Sequence, residues 1–145
     1  MKKKQIEELS YYGLLLLSYL QESHPQKAKD VVFIKARADE ASEAYSNAIK
    51  EGLSHPEAEE LATTALYKDL YFSRHDTIVT VLWNEFDRFI PLSEAGLFAR
   101  RIQPECENIF GKYLLSDEFM YSPEYNNLYT ELVGFIDFWL EENEL

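Results

Sequence analysis

The C-terminal stretch constrains the fold most strongly. Leu128, Leu132, Phe135, Ile136, Trp139 and Leu140 recur at three- and four-residue spacing, and Glu141, Glu142 and Glu144 close the chain. Residues spaced in this way share one face of an α-helix, which must be buried against other elements. The same period recurs along the rest of the sequence. The pattern predicts an all-α fold, a single-domain helical bundle of five to seven helices spanning residues 1–145. That length suits one domain with a sizeable core.

The first helix is expected from about Lys4 to Glu22, with Ile6, Leu9, Gly13, Leu16, Leu17 and Leu20 in one stripe that Tyr12, Leu14, Leu15 and Tyr19 widen. Ser23-His24-Pro25 ends it, because a residue before proline avoids the helical region. The second is expected from about Asp30 to Glu51, with Ile34, Ala38, Ala41, Tyr45 and Ala48 facing inward and Gly52 as its stop. Ser54, Pro56 and Glu57 spell an N-cap, an early-turn proline and a capping box. The helix they open carries Ala58, Leu61, Ala62, Ala65, Leu66 and Leu70 on its inner face. A fourth helix after a break at Ser73–Asp76 is expected to run through Ile78, Val81, Leu82, Phe86 and Phe89, ending at Pro91. The β-branched Thr77–Val81 run reads as helix because the period continues to Phe89. Ser93 is expected to cap a fifth helix that Pro104 breaks or kinks, with a second piece carrying Ile109, Phe110 and Tyr113. Ser116–Tyr121 reads as a turn or a single helical turn. Ser122 and Pro123 then start the last helix, which runs to about Glu142.

Charge excludes some classes of function. The formal net charge is −12. Residues 1–72 carry nine Lys/Arg and twelve Asp/Glu, whereas residues 73–145 carry five and fourteen, a net of −9. Such a field repels phosphate and disfavours direct binding to nucleic acid. The only basic run, Lys2-Lys3-Lys4, is at a terminus, and Arg100-Arg101 is too small for a stripe. The single cysteine, Cys106, rules out an internal disulfide and suits a reducing, cytoplasmic setting. Glu7 and Glu8 interrupt what would otherwise resemble a signal peptide, and the apolar run is too short to span a bilayer.

Little in the sequence looks like chemistry. His24, His55 and His75 read as exposed loop residues with no His or Cys partner at ligand spacing, so no metal site or cofactor is implied. Glu105 and Glu107 flank Cys106, and their charges raise a thiol pKa, which argues against a nucleophile. Glu85 and Asp87 stand two apart and do not share a helix face. Glu57, Glu59 and Glu60 complement a helix dipole. No Gly-rich phosphate loop, nucleophile elbow or zinc-protease motif is present, so the chain is not expected to be an enzyme.

The aromatic fraction, 14%, exceeds what a small helical domain readily buries, and protein interfaces favour Tyr and Trp. The best candidate partner-binding segment is Tyr71, Arg74, His75 and Asp76 with Trp83, Glu85 and Asp87. It mixes aromatics, a cation and carboxylates around a helix start. Each residue also has an ordinary structural role to fill, with Asp76 as an N-cap, Trp83 in the core and Arg74 in a surface ion pair.

Four stretches carry a resemblance to a known family. They are Leu9-Ser10-Tyr11-Tyr12-Gly13-Leu14, Phe33-Ile34-Lys35-Ala36-Arg37-Ala38-Asp39, the Phe72 to Phe86 segment, and Leu128-Tyr129-Thr130-Glu131-Leu132. Together they resemble an uncharacterised Bacteroides-type bacterial family, a domain of unknown function associated with conjugative transposons. The resemblance covers nearly the whole chain. It implies a small cytoplasmic accessory protein of a mobile element and carries over no functional residues. With the charge, it favours a protein–protein interaction module that docks on a basic DNA-processing protein. The alternatives are a DNA mimic that inhibits a host DNA-binding enzyme, and a small-ligand binder or enzyme. Homodimerisation through surplus aromatics is a further possibility.

Overall fold

Local capping chemistry fixes the helix starts in the computed structural model, which describes residues 9–143. Among the described residues, six α-helices and three short 3-10 turns make up the regular structure, and no strand occurs. The α-helices are α1 (Tyr11–Ser23), α2 (Val31–Lys50), α3 (His55–Leu66), α4 (Arg74–Glu85), α5 (Ala95–Phe110) and α6 (Glu124–Glu142). The 3-10 turns are Lys27–Lys29, Leu92–Glu94 and Phe119–Tyr121. The expected start of the first helix at Lys4, its Ile6, the Lys2–Lys4 run and the terminal Glu144 lie outside the described residues. The chain groups into two compact units, residues 1–70 and 71–145.

The first unit holds α1, α2 and α3. Ser10 caps α1 by accepting from the Gly13 N–H, and Asp30 caps α2 by accepting from the Phe33 N–H. At the start of α3 the Ser54 and Glu57 side chains each accept from the other residue's N–H, which completes the expected capping box. The Ser54 bonds hold the Glu57 carboxyl below the usual carboxylate range. Between α2 and α3, Gly52 has a φ of +90°, a conformation that a side chain would strain. Leu16, Leu20, Ile34, Ala38, Ala41, Ala62 and Leu66 form the buried centre. Each buried leucine or isoleucine there contributes about 1.5–3 kcal/mol.

Several expectations fail in this unit. Leu61, read as core, is exposed, as is Leu14 on α1. A helix buries only the arc its neighbours cover, and alanines already fill the close α2–α3 approach. Leu70 is buried as expected, although α3 ends at Leu66. Its carbonyl accepts hydrogen bonds from Tyr19 Oη (2.6 Å) and His24 Nε2 (2.8 Å). His24 is therefore a helix-capping residue tied to a distant carbonyl rather than a loose loop side chain. His55 opens α3, and its Nδ1 is hydrogen-bonded to the Tyr45 hydroxyl at 2.5 Å.

The second unit holds α4, α5 and α6 around Ile78, Val81, Leu82, Ala99, Ile102, Phe110, Leu128, Leu132 and Ile136. Helix α4 covers the β-branched Thr77–Val81 run, as the period required. Its N-cap is Ser73 and not Asp76. The Ser73 hydroxyl accepts from the Asp76 N–H at 2.9 Å, which places Asp76 inside the first turn. The helix stops at Glu85. Phe86 and Ile90 remain buried through a turn, where both the Phe89 and Ile90 N–H groups bond to the Phe86 carbonyl.

Pro104 does not break α5, which is continuous from Ala95 to Phe110. Ala99, Ile102, Cys106 and Phe110 bury one unbroken face across it. The carbonyl that loses its partner belongs to Arg100, which is exposed and can be hydrated. Ser93 lies within the Leu92–Glu94 turn and makes no cap bond to α5. Nor does Ser122 cap α6, because its hydroxyl donates back to the Phe119 carbonyl at 2.8 Å.

Candidate partner-binding site

Helix α4 carries most of the segment that the sequence singles out, and its geometry divides that segment in two. Arg74, His75 and Asp76 lie in its first turn, whereas Trp83 and Glu85 lie in its last, about 15 Å away along the axis. Asp87 follows in the turn beyond, and Tyr71 precedes the cap. These residues do not converge on one point.

Several of them serve the fold. The Arg74 guanidinium pairs with Glu107 of α5 at 3.1 Å and lies 5.8 Å from the Phe110 ring centroid. This is the expected surface ion pair, half exposed and worth well under 1 kcal/mol by itself. His75 is only 6% exposed, which overturns its reading as a loop histidine. It stands three and seven residues before Ile78 and Leu82, on the inward face of α4. The Tyr71 N–H donates to Asp117 Oδ1 at 3.1 Å, while the ring faces solvent. Glu85 accepts from the Tyr129 hydroxyl at 3.1 Å, and the same hydroxyl accepts from Asn84 at 3.3 Å, tying the end of α4 to α6.

The remaining residues face outward. Trp83 is 51% exposed, so it does not belong to the core. It follows Asp76 by seven residues, two helical turns, and shares an exposed face with it. Phe89 and Leu92 are exposed just beyond the helix, as is Leu97 on α5. The apolar period predicts a longer α4 that carries Phe89 on its inner face. Because the helix ends at Glu85, the ring instead leaves the buried face.

The electrostatics of this unit are acidic and little compensated. Of its basic residues, Arg74 is paired with Glu107 and Lys112 with Glu131, and Arg101 lies over the Trp139 ring. Lys112 and Tyr113 both donate to Glu131, which holds that carboxyl below its usual range. The same hydrogen bond pushes the Tyr113 hydroxyl up to about 12. Burial, reinforced by Glu105 and Glu107, pushes the Cys106 thiol up to about 12, so it is a core residue and a poor nucleophile. Among the described residues, no group of three or more His, Cys, Asp or Glu is placed to hold a metal ion. No helix among them is long and apolar enough to cross a membrane.

These features define an acidic chain, all-α among the described residues, that turns several large aromatics outward. The chain belongs to the family described as a domain of unknown function (DUF1896), which matches residues 4–145. It is similar to protein PG0816 from Porphyromonas gingivalis, known from a crystal structure. The identity is 43%, the TM-score is 0.90, and the match covers 99% of this chain and 98% of that one. No curated protein matches the chain.

Proposed function

We propose that this chain is a protein–protein interaction module that docks on a basic protein, acting by binding and not by catalysis. The observation that carries the reading is the pairing, in residues 71–145, of a strong acid excess with outward aromatics such as Trp83 and Phe89. Acid speeds encounter with a cationic surface, and a desolvated aromatic anchors the contact. The sequence's likeness to a Bacteroides-type family associated with conjugative transposons supports a finer form. In that form the chain is a cytoplasmic accessory protein of a mobile element, and its partner belongs to DNA-processing machinery.

The test is affinity capture from cells that carry the element, followed by reconstitution from purified components across a salt series. The reading expects a defined basic partner whose affinity falls as salt rises, with Trp83→Ala weakening binding and leaving the melting temperature unchanged. A complex that duplex DNA displaces from the partner's own DNA-binding surface would instead favour DNA mimicry. If no partner can be reconstituted at physiological salt, the reading fails.

A further inference from the structure

Helix α1 has one charged side chain in its thirteen residues, Glu22, whereas every other α-helix exposes at least two. Leu14, Leu15, Ser18 and Glu22 follow Tyr11 by three, four, seven and eleven residues, so all five share one face of the helix. That face points away from the core of the unit, where Leu16 and Leu20 are fully buried. Tyr11 is 65% exposed and Leu14 50%, while Leu15 is partly covered. A helix apolar around most of its circumference calls for cover on every side. Helices α2 and α3 cover only the other side of α1, where Tyr12 donates to Glu59 at 2.7 Å and Tyr19 packs edge-on against Tyr67.

The position of Glu22 selects the occupant. Helix α1 has no acidic side chain in its first turn to match the positive end of its dipole. Its one carboxylate stands in the last turn, where the dipole opposes it, and forms no ion pair among the described residues. Two copies laid antiparallel along this face resolve both mismatches. Each Glu22 then meets the first turn of the other copy's α1, beside the Tyr11 hydroxyl, and the leucines and the small Ser18 meet in the middle. The match is isologous, as a closed two-fold dimer requires. Elsewhere the exposed carboxylates of two chains of net charge −12 would repel.

We propose that the chain forms a weak two-fold dimer through antiparallel packing of α1 against α1. Thirteen helical residues span about 20 Å, which makes a contact at the small end of specific interfaces. The dimer goes beyond the docking function, which lies in residues 71–145, and leaves that half of each copy free to dock.

Sedimentation equilibrium of the full chain tests it. The expected dimer has a Kd of about 0.1 mM and tightens as salt rises from about 50 mM to about 500 mM, because salt screens the repulsion between acidic copies. Docking on a basic protein has the opposite salt dependence, so the two readings fail separately. Leu14→Lys should weaken the dimer at least about tenfold, since two-fold symmetry makes each substitution act twice, with the melting temperature at micromolar concentration unchanged. Leu61→Lys, at a similarly exposed leucine of α3, should leave the dimer intact. At high salt Glu22→Gln should weaken it about threefold. A parallel pair would set the two Glu22 carboxylates together, and the same variant would then tighten it. Tightening by Glu22→Gln, a monomer at about 1 mM in high salt, or a dimer that survives Leu14→Lys overturns the proposal. So does a monomeric chain whose captured partner is lost with Leu14→Lys, which gives the face to another protein.

Discussion

Replacing Trp139 with alanine tests whether α6 is held to α5 through this one ring. The side chain is 9% exposed, packs against Phe98, carries Arg101 over its face and donates to Glu105. A tryptophan buries up to about 250 Å², which at about 25 cal/mol per Å² is about 5–6 kcal/mol as an upper bound. Measured truncations of buried aromatics cost about 3–5 kcal/mol, because the site relaxes and the unfolded chain already buries some area. Trp139→Ala should therefore lower unfolding free energy by about 4 kcal/mol. Trp139→Phe keeps most of the ring and loses only a hydrogen bond to the exposed Glu105, so it should cost about 1–2 kcal/mol. Urea unfolding followed by circular dichroism reads both variants, with the slope m checked for constancy. A Trp139→Ala loss below about 1 kcal/mol would refute the reasoning, because surface substitutions fall in that range.

Other outcomes follow from single features of the fold. Ser54→Ala removes the N-cap and half of the capping box, and should cost about 1 kcal/mol in the same unfolding assay. Pro104→Ala restores a backbone donor toward Arg100 in a continuous helix and should raise stability, by up to about 3 kcal/mol. The Cys106 thiol should stay unreactive toward Ellman's reagent in the folded chain and react once urea unfolds it. Because the pKa values of Cys106 and Tyr12 are both raised to about 12 by folding, their neutral forms favour the native state. That contribution is complete below the unfolded-state values and is lost as pH rises toward about 12, so urea midpoints should fall above about pH 9.

The helices were legible because local chemistry declares them. Ser54 with Glu57, Asp30 before Val31, Gly52 after Lys50 and Pro25 after His24 each act within a few residues, which is the range a sequence displays directly. The far end of α4 was not legible. Phe86 and Ile90 stay buried through a turn and so prolong an apolar pattern that the helix itself abandons at Glu85. The break that Pro104 allowed does not occur for the opposite reason, since burial on both sides overrules a strong local breaker.

The candidate site was legible in part. Trp83 lies about 140° around the helix from Ile78, so its outward position could be read from the wheel, although its size suggested core. His75 carried the reverse signal, standing three and seven residues before Ile78 and Leu82 on the inner face. Leu97 and Phe138 carried the same signal as Trp83, each standing two residues from a buried neighbour, Ala99 and Ile136, and so on the outward side of its helix.

If the acidic half of the chain docks on a basic protein, as proposed, charge sets the rate of encounter. The most direct test is the association rate constant between the full chain and its captured partner, measured by stopped flow from about 50 mM to about 500 mM salt, a range over which the screening length falls severalfold. Docking of this kind predicts a rate that falls at least about tenfold across the series, and a matching loss at low salt in the Asp137→Asn/Glu141→Gln/Glu142→Gln variant. A rate indifferent to both salt and those carboxylates would contradict it.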